Sequence, residues 1–159
     1  MSSVSIMATF ADPASGMRMA AESGSGFTIE FDSADAGDAR AGAAPIEVVL
    51  AALAGCTAMD VASILRKKRQ VPVSYQVSVS GERAEEHPQV FTAITVEHRV
   101  TGDVEPEAVR RSVELSATRY CPVSAMLSAS VRIEHRYRLA RNAQDEEPVS
   151  ALVVVTGPG

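Results

Sequence analysis

The stretch "LAGCTAMD" (residues 53–60) sets a thiol, Cys56, inside the most apolar helix-like run of the chain. A cysteine in such a place is ordinarily an inert core side chain. The only other cysteine, Cys121, stands in "RYCPVSAML" (residues 119–127), and whether the two share a site decides what either can do. Cys121 precedes Pro122 at the start of a second helix-like segment, where unpaired N–H groups and the helix dipole lower a thiol pKa. Cys56, in mid-helix, has no such help. By local chemistry alone Cys121 is the better thiolate. The three histidines, His87, His98 and His135, complete no zinc-binding spacing with the two cysteines, so neither a metal nor another cofactor is expected. His98 and His135 fall within strand-like segments and read as ordinary exposed or partly buried positions.

The elements that must position these thiols can be read from the pattern around them. "VSIMATF", "MRMAAES" and "FTIEFDS" are short β-leaning segments separated by the turn-rich "ADPASG" and "GSG", which predicts a three-stranded antiparallel meander. "ADAGDARAGAA" reads as a small-residue loop. Pro45 then suits the first turn of a helix, because its missing N–H costs nothing there, and that helix is predicted from about residue 45 to Arg69. From Val48 to Met59 it is apolar almost all round, so most of its faces should be buried. Gly55 costs it about 1 kcal/mol relative to alanine, and its small neighbours leave room for a close approach. The basic "RKKRQ" (residues 66–70) reads as a helix C-terminus whose cations oppose the dipole. "YQVSVSGERA" and "FTAITVEHRVTG" alternate as a hairpin should. An amphipathic helix stopping near Tyr120, a helix capped by Cys121, and the strand "VRIEHRYRLA" follow. The predicted order is βββαββααβ, a mixed α+β fold.

Composition narrows the function classes. The chain has 159 residues, 46% of them hydrophobic, enough for one domain with a real core. Its net charge of −5 argues against a nucleic-acid surface, which needs a concentrated basic patch. The first residues lack a basic segment followed by a long apolar one, so no secretory signal is expected and a cytoplasmic location follows. The run from Pro45 to Leu65 is apolar enough to suggest a membrane span. It carries Glu47, Thr57, Asp60 and Ser63, however, and reads as the buried helix of a soluble protein. Residues 1–140 are expected to form one domain. Residues 141–159 form an extension that would add an edge strand, pack on a partner or stay disordered.

The meander, then "APIEVVLAALAGCTAMDVASIL", a hairpin, "SATRYCPVSAML" and a last strand resemble the OsmC-like family of osmotically inducible and organic hydroperoxide resistance proteins, over roughly Thr9 to Leu139. "GCTAMDVASILRKKRQ" followed by "YCPV" most resembles a less characterised branch of it. The resemblance implies an intertwined homodimer in which the long helix is enclosed by antiparallel sheets of both chains. It also implies a thiol peroxidase: Cys56 attacks an organic hydroperoxide and becomes a sulfenic acid, Cys121 resolves it as a disulfide, and a dithiol such as a lipoylated protein, or a small thiol, restores both. The resemblance assigns the activating cation to an arginine held by a glutamate. Glu47 matches the glutamate, Arg40 is the preferred arginine, and Arg18 is the alternative. A different class of function is a non-enzymatic dimer that binds a small hydrophobic ligand or senses redox state. No nucleic-acid or membrane partner is expected.

Overall fold

The structure is a computed structural model that describes residues 2–159. The chain divides into two compact units, Met1–Val49 and Leu50–Gly159.

In the first unit, β1 (Ile6–Phe10), β2 (Met19–Ser23) and β3 (Thr28–Phe31) form the expected antiparallel meander in the order β1-β2-β3. Every residue of β1 is exposed. The following segment, expected as plain loop, winds into a 3-10 turn at Ala34–Ala39. The chain then lies back on β3 through a parallel bridge between Phe31 and Ala43. Glycine is required for that approach, since a Cβ on Gly42 would stand 2.7 Å from the carbonyl of Glu30. Asp32 holds the returning strand: its carboxylate accepts from the N–H groups of Ala41 at 3.0 Å and Ser33 at 2.7 Å. Those two bonds, with smaller help from Arg18 and Arg40, keep its carboxyl below the usual range.

Helix α1 spans Pro45–Lys67 and begins, as expected, on the proline. Its end is set by local chemistry. Arg66 and Lys67 supply cations to the last turn. Arg69 turns left-handed at φ 58°, so that Gln70 N–H reaches Leu65 O and Arg69 N–H reaches Arg66 O, both at 2.9 Å. This pairing satisfies the carbonyls that a helix end leaves open.

The second unit is built on a four-stranded sheet of β4 (Ser74–Arg83), β5 (Phe91–Thr101), β6 (Arg132–Ala140) and β7 (Val149–Thr156), in that order. The β4–β5 and β6–β7 pairs are antiparallel and the β5–β6 pair is parallel. The sheet is therefore mixed rather than wholly antiparallel. The cause lies in the connection: α2 (Pro106–Leu115), a π-helical turn (Ser116–Tyr120) and α3 (Pro122–Leu127) carry the chain back before β6 begins, and a crossover of that length returns a strand in the same direction. Of the alternatives open for the C-terminal extension, the structure adopts the edge strand, β7.

Val61 and Leu65 of α1 pack with Val100, Val104, Val109, Val113, Tyr137 and Leu139 in the core. Only Leu53, Thr57, Val61 and Leu65 of α1 are buried, a single stripe at four-residue spacing. The burial on most faces expected from its composition is absent within one chain; Met59 stays 76% exposed. By length and composition α1 is also the one helix, among the described residues, able to cross a membrane.

Candidate thiol site

Two groups of chemistry-bearing side chains form, one in each unit. In Met1–Val49, the Arg40 guanidinium pairs with Glu47 and its Nε donates to Gly42 O at 2.8 Å. The same Glu47 oxygen accepts from Ala44 N–H at 2.8 Å, so one carboxylate caps the start of α1 and holds the arginine. Arg18 is engaged elsewhere, with Glu30 at 3.6 Å. The expected Arg40–Glu47 pair is thus formed.

In Leu50–Gly159, α1 supplies Cys56 and Asp60, and the turn before α3 supplies Cys121. One ligand atom from each, the two Sγ and a carboxylate oxygen, all lie within 4.8 Å of one another. Both cysteines are free thiols. The position of Cys121 follows from its sequence. Its own N–H closes the π-helical turn on Ser116 O at 3.0 Å, and as N-cap of α3 its sulfur accepts from Ser124 N–H at 3.3 Å. Helix-terminus chemistry favours Cys121 as the thiolate, and its burial opposes that preference. Cys121 is 2% exposed, and burial, reinforced by the neighbouring Cys56 sulfur, drives its thiol well above the ordinary range against the Ser124 bond. Desolvation of a charge outweighs one N–H donor. Cys56 is half-buried.

A polar chain lies behind the sulfurs. Ser116 Oγ donates to Asp60 Oδ2 at 3.0 Å, Thr57 Oγ1 meets Ser116 Oγ at 2.8 Å and His98 Nε2 at 3.5 Å, and Tyr75 OH meets His98 Nδ1 at 2.6 Å. Thr57, His98 and Ser116 are fully buried. Burial first, and then His135, lowers the His98 pKa to about 3, so the ring is neutral. Burial holds the Tyr75 phenol protonated, with Asp60 adding to the effect. His98 and His135 are thus fully buried, not exposed or partly buried as their strands suggested. The signal was present: His98 is in phase with Ile94, Val96 and Val100, and His135 with Ile133, Tyr137 and Leu139. Asp60 was likewise legible as the residue one helical turn after Cys56.

A groove of about 360 Å³ runs past Asp60, Ile64, Lys67, Lys68, Leu115 and Tyr120, with neither sulfur in its lining. A slightly larger depression, about 380 Å³, around Asp103, Glu105 and Arg141 holds neither sulfur. Chemistry and not volume therefore marks the site. Among the described residues the two sulfurs and the Asp60 carboxylate are the only group of three such side chains whose donor atoms stand this close together.

The mixed α+β fold brings two free thiols, Cys56 and Cys121, together. The OsmC-like protein family profile matches residues 36–136. The chain belongs to the OsmC-like family. It is 44% identical over 125 residues to Protein YhfA of Escherichia coli strain K12, covering 78% of this chain and 91% of that protein. Among solved structures, a hypothetical protein from Aquifex aeolicus VF5 superposes with a TM-score of 0.77 at 25% identity, covering 89% of this chain and all (100%) of that one. The organic hydroperoxide resistance protein OhrB of Bacillus subtilis shares the fold with a TM-score of 0.61 at 16% identity, covering 85% of this chain and 97% of that one.

Proposed function

We propose that this protein is a cysteine-based peroxidase that reduces organic hydroperoxides to alcohols. The observation that carries the reading is the meeting of Cys56 and Cys121, two free thiols from distant parts of the sequence, with their sulfurs within 4.8 Å. Membership of a family that includes organic hydroperoxide resistance proteins supports it. Cys56 is the attacking sulfur, because it is the more accessible and because burial keeps Cys121 protonated. Its thiolate takes the distal peroxide oxygen; the O–O bond breaks, the alkoxide leaves and gains a proton, and Cys56 becomes a sulfenic acid. Cys121 then displaces water to form the disulfide. A dithiol, from a lipoylated protein or a small thiol, returns both sulfurs to the reduced state.

In this reading the Arg40–Glu47 pair supplies the cation that favours the Cys56 thiolate, a task a planar guanidinium performs while still bonded to a carboxylate. The working unit is a cytoplasmic homodimer. A second copy would cover the apolar face of α1 around Met59 and the exposed strand β1, and would occupy the open side of Gly55, where a Cβ would meet no described residue within 4 Å.

Turnover tests the assignment. With dithiothreitol as donor, the protein should reduce cumene hydroperoxide through many cycles and prefer it to hydrogen peroxide. Consumption of a single equivalent without cycling would instead identify a redox sensor.

A further inference from the structure

The carboxylate beside the two sulfurs has a fixed orientation that the peroxidase reading leaves unused. The Ser116 hydroxyl donates its one proton to Asp60 Oδ2. Ser116 must then accept from Thr57, and Thr57 from His98 Nε2–H, which leaves Nδ1 of the neutral ring to accept from Tyr75 OH. Every donor along the chain points toward Asp60. The arrangement holds one carboxylate oxygen rigidly, and the carboxylate stays within 4.8 Å of both Cys56 and Cys121. Such a chain organises a base; it does not conduct charge, since His98 is too deeply buried to become a cation.

Resting on the peroxidase reading, we infer that Asp60 is the acid–base catalyst of disulfide closure. It takes the proton from the Cys121 thiol as that sulfur attacks the Cys56 sulfenic acid, and delivers it to the departing hydroxyl. The Cys121 S–H and Cys56 S–O bonds break, the S–S bond and one O–H bond of water form, and the oxidising equivalents are those already taken from the hydroperoxide. Cys121 needs this help because burial holds its thiol protonated at neutral pH. The other titratable groups facing Asp60 are Lys67, Lys68 and Tyr120 along the groove and Tyr75 behind the hydroxyl chain.

A rapid-quench time course tests the inference. The reduced full-length protein is mixed with one equivalent of cumene hydroperoxide at pH 7; sulfenic acid is trapped with dimedone and disulfide is counted by mass spectrometry. Asp60→Asn should accumulate the sulfenic acid and close the disulfide at least tenfold more slowly than the wild type. Closure should speed up as the pH is raised to 9, where hydroxide replaces the lost base, and Asp60→Glu should restore part of the rate at pH 7. Ser116→Ala, which loses the bond that aims the carboxylate together with the Thr57 contact, should slow closure several-fold. This variant decides the matter if Asp60→Asn misfolds. Normal sulfenic acid formation with closure at the wild-type rate in these variants would overturn the role of Asp60 alone. Failure of the wild type to form any sulfenic acid would remove the peroxidase reading and this inference with it.

Discussion

Cys121 sits between two opposing influences, an N–H donor at a helix start and complete burial, and burial wins. The N-cap geometry was legible from Cys121-Pro122, whereas the burial was not, because it depends on what packs over the turn. With Cys121 held as a thiol, the attacking role is proposed for Cys56, and the cation proposed to sustain its thiolate is Arg40. Arg40→Ala should lower the first-step rate at pH 7 by roughly tenfold. The rate should recover in part as the pH rises, because the thiolate fraction grows. Arg18→Ala, which breaks only the contact with Glu30, should leave that profile in place. Stopped-flow consumption of hydroperoxide across pH 6 to 9 checks both. A defect confined to Arg18→Ala would reassign the cation.

The elements around the site are held by a polar chain crossing from α1 to the π-helical turn and the sheet. Thr57 is its middle member. Thr57→Val is nearly isosteric but strands Ser116 and His98 in a buried setting, and should cost about 1–3 kcal/mol. Urea denaturation reads that loss directly, and an unchanged midpoint would show that the chain carries no stability. The sequence pattern announced α1, the meander, the hairpin and the Cys121 cap, because Pro45, Pro122, the turn residues and the strand alternation are all local signals. The phase of His98 and His135 with the apolar residues of their strands marked both as covered, but not the partners they meet there, Thr57 and Tyr75 for His98, because those come from other elements. The parallel β5–β6 pairing was hidden for the same reason, being set by a crossover and not by either strand.

At the scale of the whole molecule, the apolar surface of α1 exceeds what one chain buries. Sedimentation should give about twice the chain mass of 16.8 kDa, and Met59→Lys, which places a charge on the exposed apolar face, should shift the protein to monomer. A folded wild-type monomer at micromolar concentration would contradict the dimer. The buried histidines make stability fall in mild acid. The folded-state pKa is lowered to about 3 for His98 and about 4 for His135, so between the ordinary histidine range and those values the unfolded chain binds more protons. Stability is therefore full above about pH 6.5 and should decline by about 3 kcal/mol from His98 alone on reaching pH 4.5; a flat profile over that window would place both rings in water. The central claim is that Cys56 attacks and Cys121 resolves, and intact-mass spectrometry after one equivalent of cumene hydroperoxide tests it most directly. The wild type should lose two hydrogens and yield a linked Cys56–Cys121 peptide pair, Cys121→Ser should stop at a dimedone-reactive sulfenic acid on Cys56, and Cys56→Ser should not react. Oxidation of Cys121 in Cys56→Ser, with Cys121→Ser inert, would contradict the account.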